Sequence, residues 1–450
     1  MSELFTEILM EDEPAESNTP PAVPANVPTI YYSGKGGYAI QYKGGFIPLP
    51  NEGQVSQHIG KAGVPREAIS GILCAIRTEN FVSYIGPVAG HKTGLHTAPD
   101  SGQSFLVTHG PKLIIGEPGS WSFINDFLHD LLGDGDQYDA AVAWLRQARR
   151  NVVAGKRRPL PAAVFVGPRN CGKSLMLEIS RLCLGGRSAP AFAALSGGTA
   201  FNGDIIGAEL LTIDDEIASK DHRARTQLAQ GIKKHLFAGS VRVEAKFREA
   251  ITMRPVQAVA IAVNNEAEHL QVLPAIDDSV ADKISLFDCA RANLEGLHDR
   301  DEIAARIQSE LAAFCYHLDT TDHPEHLRDQ RTGAAAWQSP VVMEQLLSIA
   351  PEERLRELLA QCLPITQAIA NPAENEWRGS ADAVERLLKQ EDITRASAHS
   401  LLTWNGACGS YLGKLRSSKR AQITTTLVRG ITQWRITGLE PAELTQARPS

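Results

Sequence analysis

Val164-Phe165-Val166 leads into Gly167-Pro168-Arg169-Asn170-Cys171-Gly172-Lys173-Ser174, and Leu175-Met176-Leu177-Glu178-Ile179 follows. An apolar strand, a turn gated by two glycines and a helix start in this register let successive backbone N–H groups converge on one concavity that suits phosphate. Lys173 would carry a point charge to the β- and γ-phosphates, and Ser174 would offer a hydroxyl to Mg²⁺. ATP is therefore the expected ligand, its phosphates wrapped by the whole run from Gly167 to Ser174. The bland alternative is a glycine turn that merely contains Lys-Ser; the strand before it and the helix after it count against that.

Hydrolysis needs more than a cradle, and two further strand ends supply polar groups. Glu209-Leu210-Leu211-Thr212-Ile213-Asp214-Asp215-Glu216 is a buried-strand pattern that ends in three acids. Beside the cradle in a parallel sheet, such a strand delivers carboxylates at its C-terminal edge. Asp215 is the expected metal carboxylate, with Asp214 competing for that role, and Glu216 is expected to orient the attacking water. An acidic helix cap would look similar. The strand-like run Gln257 to Val263 ends in Asn264-Asn265-Glu266. An amide there, Asn264 or Asn265, could hold the lytic water and touch the γ-phosphate, although an Asn pair after a strand is more often turn chemistry.

Strand-cradle-helix, strand-DDE and strand-NN, in this order within about a hundred residues, resemble the superfamily-three branch of AAA+ helicases, in particular the primase-helicases of phages, prophages and plasmids. The resemblance implies an α/β P-loop core that hydrolyses ATP with Mg²⁺ to translocate on and unwind nucleic acid, taken as DNA. It also implies a homo-oligomeric, hexameric ring serving phage or mobile-element replication. In such proteins a basic hairpin between the second and third strands points into the ring channel. Ser240 to Pro255 occupies that position here, with Lys246 the matching phosphate contact and Phe247 and Arg248 beside it. The segment's own pattern agrees: apolar residues alternate with Arg, Glu and Lys, as in a hairpin with one wet face. Basic groups there can meet phosphates and an aromatic can stack on a base, although an ordinary solvated hairpin reads alike.

Many members of that branch place an arginine downstream that reaches the neighbouring subunit's ATP; the phage-type proteins often read Asp-Lys-Ile, as Asp282-Lys283-Ile284 does here. Lys283 is the matching residue, but a lysine lacks the planar fork of a guanidinium. Arg223, Arg225 and Arg291 stay open for the trans-acting role, and a salt bridge from Lys283 to Asp282 or Asp278 is the structural alternative. The primase half of the family name does not carry over, since paired acids for primer synthesis are not visible in residues 31–110.

The chain's 450 residues are 43% hydrophobic and 22% charged, with a net charge of −7, which suits a multi-domain globular enzyme and not a uniformly basic nucleic-acid binder. Any DNA site must be a local patch. Seven cysteines are scattered without a C-x-x-C pair, which excludes a zinc ribbon and suits reduced thiols in a cytoplasmic protein. No signal peptide or membrane span is legible.

Residues 1–30 are acidic and proline-rich and read as a disordered tail. Residues 31–120 read as a small α+β accessory domain, with strands near Gly37 to Tyr42 and Phe105 to Thr108 and helix from Gln54 to Gly71. Residues 121–158 are helical by period, either an oligomerising collar or a lid packed on the core. The ATPase motor spans 159–300 and a helical region 301–372. Residues 377–439 read as a winged-helix-like DNA-binding module: three helices, then two strands around Arg429-Gly430, with no Asp or Glu from Ile393 to Gly438. Its third helix carries Tyr411, Lys414 and Arg416 toward a groove, and Lys419, Arg420 and Arg429 toward phosphates. A basic module that contacts only other subunits fits the same bias. Two other classes stay open for the whole chain: an ATP-switched DNA-binding adaptor or helicase loader without translocation, and a small-molecule kinase, against which the flanking domains count.

Overall fold

The computed structural model of the chain describes residues 23–34, 37–199, 202–214, 222–244, 250–273, 276, 279–293, 299–370, 376–418 and 422–437. Five parallel strands, β1 (Ala162–Gly167), β2 (Ser188–Pro190), β3 (Leu210–Asp214), β4 (Ala258–Asn264) and β5 (Ile284–Asp288), form the central sheet in the order β5-β1-β4-β3-β2. β1 and β4 are buried along their whole length. Their continuous apolar runs are what a parallel strand covered on both faces requires. Alternation sends Ala163 and Phe165 into one core layer and Val164 and Val166 into the other.

The helices Ser122–Leu132 and Asp136–Ala154 pack directly on the first of these layers, joined by the helix Arg300–Thr320. The two helices of residues 121–158 are thus a packed layer of the core. Arg149 is buried there and makes a two-pronged ion pair with Asp319 at 2.8 Å, while also donating to the carbonyls of Cys183 and Ile114. A guanidinium can be buried when its fork is satisfied in this way.

The expected helical region 301–372 divides among three places. Arg300–Thr320 joins one face of the sheet, Pro340–Ser348 joins the other through Val342 and Leu346, and Pro351–Ala370 enters the C-terminal core through Leu355, Leu358, Leu359 and Cys362. The C-terminal module therefore begins near Pro351. Its other members are the helices Ala381–Gln390, Arg395–Leu401 and Ala407–Ser418 and an antiparallel sheet of Glu376–Ser380, Ile431–Thr437 and Gln422–Val428, in that spatial order. The first of these strands was not legible as one, since Pro372 and the acids after it read as linker.

At the other end, the strands Ile30–Tyr32, Tyr38–Tyr42 and Gly45–Leu49 pack on two helices, Glu52–Lys61 and Arg66–Glu79. One helix was expected from Gln54 to Gly71; Gly63 at φ 85° and Pro65 as the N-cap residue break it. A second small sheet, Tyr84–Gly86, Ser104–Val107 and Gly94–Thr97, packs against Ile206, Val243, Ile251 and Met253. Backbone bonds join Ala89 to Ile206 and to Val256 at 2.9 Å. Glu209, fully buried just before β3, accepts from the Gly90 N–H at 2.9 Å and pairs with Arg187, which also donates to the His109 carbonyl.

The segment between β3 and β4 forms the expected hairpin, with Val241–Val243 antiparallel to Ile251–Met253. Val243, Ile251 and Met253 are buried against Tyr84, Phe105 and Val107 of the docked sheet. Behind β4, His235 is buried beside Gln257, whose amide nitrogen donates to the carbonyls of Ile205 and Ala208. That fixes the amide oxygen toward His235 Nε2 at 2.8 Å, and burial pushes the imidazole down to about 4.

Candidate functional site

Parallel register aligns the three expected polar strand ends. Asn264 lies beside Gly167 across β4 and β1, and Asp214 lies beside Ala262 across β3 and β4. Between Gly167 and the helix Lys173–Cys183 the chain turns through two left-handed positions, Asn170 at φ 57° and Gly172 at φ 117°. Glycine is required at both gates. A Cβ at Gly167 would sit 2.3 Å from the Cys289 carbonyl oxygen, and one at Gly172 would sit 2.9 Å from the Phe127 ring. Cys289 itself is buried beneath the turn, and burial pushes its thiol well above the usual range.

Lys173 is only 6% exposed and folds back over the strand tips. Its ammonium donates to the Gly167 carbonyl at 2.9 Å, the Pro168 carbonyl at 2.7 Å and Asn264 Oδ1 at 3.0 Å, with Cys171 Sγ at 3.7 Å. Ser174 Oγ donates to Asp214 Oδ2 at 3.0 Å. One lysine, one hydroxyl, one carboxylate and one amide from three separate stretches of sequence thus share a single site. The first N–H groups of the Lys173–Cys183 helix have no intrahelical acceptor and open on the same side. Arg169 reaches across the rim to Glu266 at 3.8 Å and His269 at 3.4 Å, and the exposed Asn265 donates its backbone N–H to the Gly167 carbonyl.

The site opens into a cavity of about 1060 Å³ whose lining includes Arg169 to Leu175, Asp214 and Asn264 on the cradle side. The opposite wall is the start of the helix Arg300–Thr320, with Arg300, Ile303, Ala304, Ile307 and Gln308, and Glu178 and Arg181 stand beside them. Glu178 and Arg181 are paired, and the hydrogen bond from Arg181 holds the Glu178 carboxyl below the usual range. An anion-receptive end and an aliphatic wall suit a nucleotide in size and chemistry. That wall escaped the sequence, because period alone marks Ile303 and Ile307 as core positions. Only their place after β5 could have hinted otherwise.

The other expected site residues divide three ways. Asp215, Glu216, Lys246, Phe247, Arg248, Lys419 and Arg420 lie outside the described residues. Lys283 immediately precedes β5, whose first residue, Ile284, pairs with Ala162 at the start of β1, so it is at the opposite end of the strands from the cradle. It is nearly buried, paired with Asp282 and 5.6 Å from the Phe237 ring, which matches the structural alternative for it. Arg291 is exposed, one residue before Ala292 at the cavity.

Tyr411 requires a correction. It is buried in the C-terminal core at the helical spacing of Cys408, Leu412 and Leu415, with its ring edge-on to Trp404, so it cannot enter a groove. Lys414 and Arg416 are on the solvent side: Lys414 lies 3.7 Å from Glu352, and Arg416 donates to Thr425 Oγ1 at 2.6 Å. Arg429 is exposed at φ 50° in the hairpin turn. All seven cysteines are free, and no helix among the described residues is long and apolar enough to cross a membrane.

Comparison with known proteins gives a fold. The apo C-terminal region of NrS-1 superposes with a TM-score of 0.54 over 92% of this chain and 97% of its own length, at 12% identity. The fold is shared with that region. A second apo structure of the NrS-1 C-terminal region, described as residues 305–718, gives the same TM-score, identity and coverage. A structure described as SCCmec type IV Cch, an active helicase, aligns with 86% of this chain and 77% of its own at 9% identity, with a TM-score of 0.28 that carries no argument. A family of unknown function, DUF5906, matches residues 165–279, which run from within β1 through β4 to the segment before β5. No match was found among curated proteins.

Proposed function

We propose that this chain is an ATP-hydrolysing motor of the superfamily-three helicase type that moves along nucleic acid, with its C-terminal module contacting DNA. The observation that carries the reading is the convergence of Lys173, Ser174, Asp214 and Asn264 at aligned strand ends beside one nucleotide-sized cavity. The β5-β1-β4-β3-β2 order adds support, since it puts the acid and amide strands on one side of the cradle strand, as an AAA+ core does.

In this reading Lys173 exchanges its carbonyl and amide partners for phosphate oxygens, which offer it formal negative charge. The exchange releases the Asn264 amide, which then orients a water toward the γ-phosphorus. Ser174 and Asp214, already 3.0 Å apart, are placed to share one metal shell, which favours Asp214 over Asp215 as the metal carboxylate. Mg²⁺, when bound there, would neutralise charge building on the β- and γ-phosphate oxygens. A carboxylate after Asp214, with Glu216 the sequence candidate, takes the water's proton as the terminal phosphate leaves ADP. Turnover by a ring with ATP at subunit boundaries, and coupling to the Lys246 hairpin, complete the reading.

Phosphate release with and without single-stranded DNA, beside strand displacement on a forked duplex, tests it. Wild-type chain should hydrolyse ATP faster with DNA and displace strands, and Lys173→Ala should lose both. Purified chain that retains no adenine nucleotide would overturn the proposal.

A further inference from the structure

We propose that the aliphatic tip of the C-terminal hairpin, Leu427, Val428 and Ile431, is a wedge that seats on the outermost base pair of a DNA fork. The inference rests on the nucleic-acid reading above but assigns a separate surface with a separate task. Leu427 is 75% exposed, Val428 51% and Ile431 56%. Three large aliphatic side chains gathered at one protruding point are not scattered surface residues.

The geometry makes this point project. The strand Glu376–Ser380 pairs with Ile431–Thr437 only as far as Gln433, so the two last rungs of the hairpin, Leu427↔Thr432 and Val428↔Ile431, extend past their third strand. Two rungs reach about 7 Å, roughly two base-pair steps. Arg429 at φ 50° and Gly430 at φ 79° close a two-residue turn of the kind that continues the twist of the strands, so the tip is braced. Alternation puts Val428 and Ile431 on one face and Leu427 on the other, so the apolar surface wraps the end of the hairpin instead of lying along one side.

Charge names the partner. From Ile393 to Gly438 the chain has no Asp or Glu, while Arg429 stands in the turn itself and Arg416 braces the stem through Thr425. Such a surround favours a polyanion over an ordinary protein surface. A duplex end is a polyanion that offers a broad apolar face between two phosphate strands. Aliphatic side chains inserted at a base step unstack it.

The test uses the full chain with a fork carrying 2-aminopurine at its first paired position. Wild-type chain should raise the fluorescence without ATP, as the base loses its stacking. Leu427→Thr with Ile431→Thr keeps strand preference and removes the wedge. This variant should lose most of the rise and about tenfold of fork displacement, by the usual worth of one stacked contact, yet keep single-strand-stimulated ATP turnover. An unchanged fluorescence rise and unchanged displacement would overturn the wedge. So would an altered oligomeric mass with unchanged fluorescence, which would make the tip a subunit contact. A fluorescence rise without any DNA-stimulated turnover would keep the wedge and sink the motor reading instead.

Discussion

Lys173 and Leu427 both stand beside a turn that follows a β-strand, yet the chain treats them oppositely. Lys173 is buried, and its charge is already spent on two carbonyls and the Asn264 amide. Leu427 is three-quarters exposed and packs on little of its own chain. The cradle keeps Lys173 and Asn264 out of water until a stronger anion displaces an internal partner, so it is organised before the ligand arrives. The hairpin tip keeps apolar atoms in water, so it gains only when something covers it. A reaction site and a contact surface can be told apart by which kind of group is left wanting a partner.

The comparison is broken most severely at the cradle. Lys173→Ala should cut ATP turnover by about a hundredfold or more, as expected for losing a preorganised charge, and leave binding of a short duplex by the C-terminal module intact. Phosphate release and fluorescence anisotropy on one preparation check both halves. Asp214→Asn should lose a comparable factor in turnover and, unlike Asp215→Asn, weaken the Mg²⁺ dependence of nucleotide binding. A Mg²⁺ titration in which only Asp215→Asn shows that weakening would return the metal role to Asp215.

Packing separates the two regions next. Gly167→Ala places a Cβ against the Cys289 carbonyl, a collision with backbone that should cost about 3 kcal/mol, visible as a lower melting temperature. Leu427→Thr, on a surface without neighbours to disturb, should leave the melting temperature near that of wild type. Acid gives the smallest effect. His235 has a folded pKa of about 4 against an ordinary 6.5, so below pH 6.5 the unfolded chain takes up a proton that the folded motor refuses. Stability contributed by this group is complete above that value and is lost as pH falls toward 4, by roughly 2 kcal/mol at about pH 5. Replacing His235 with Gln should flatten that slope in melts run across the window.

Much of the motor was legible because its signals are local. The spacing of Gly167, Gly172 and Lys173, the apolar runs before Asp214 and Asn264, and the hairpin between β3 and β4 each sit inside sixteen residues. Their convergence followed from parallel register, which a strand-turn-helix order implies. What sequence hid was long-range: the helix Arg300–Thr320 returning to wall the cavity, and Pro351–Ala370 leaving the motor for the C-terminal core. Apolar periodicity says that a helix is covered on one face and not by what. Tyr411 failed for the same reason, since a tyrosine among basic residues looks like a nucleic-acid contact until the helix phase turns it inward. Leu427 and Val428 were read only as strand residues, because alternation does not reveal where the third strand of a sheet stops.

The buried carboxylate of Glu209 reaches further than its own neighbourhood. It holds Arg187 next to the sheet and the Gly90 amide of the amino-terminal domain at once, so any chain trimmed to begin after that domain would keep an acid sealed in apolar surroundings with half its clasp removed. The smaller protein so made should aggregate instead of working as an autonomous engine. The accessory domain and the outer border of the central sheet would accordingly move as one body.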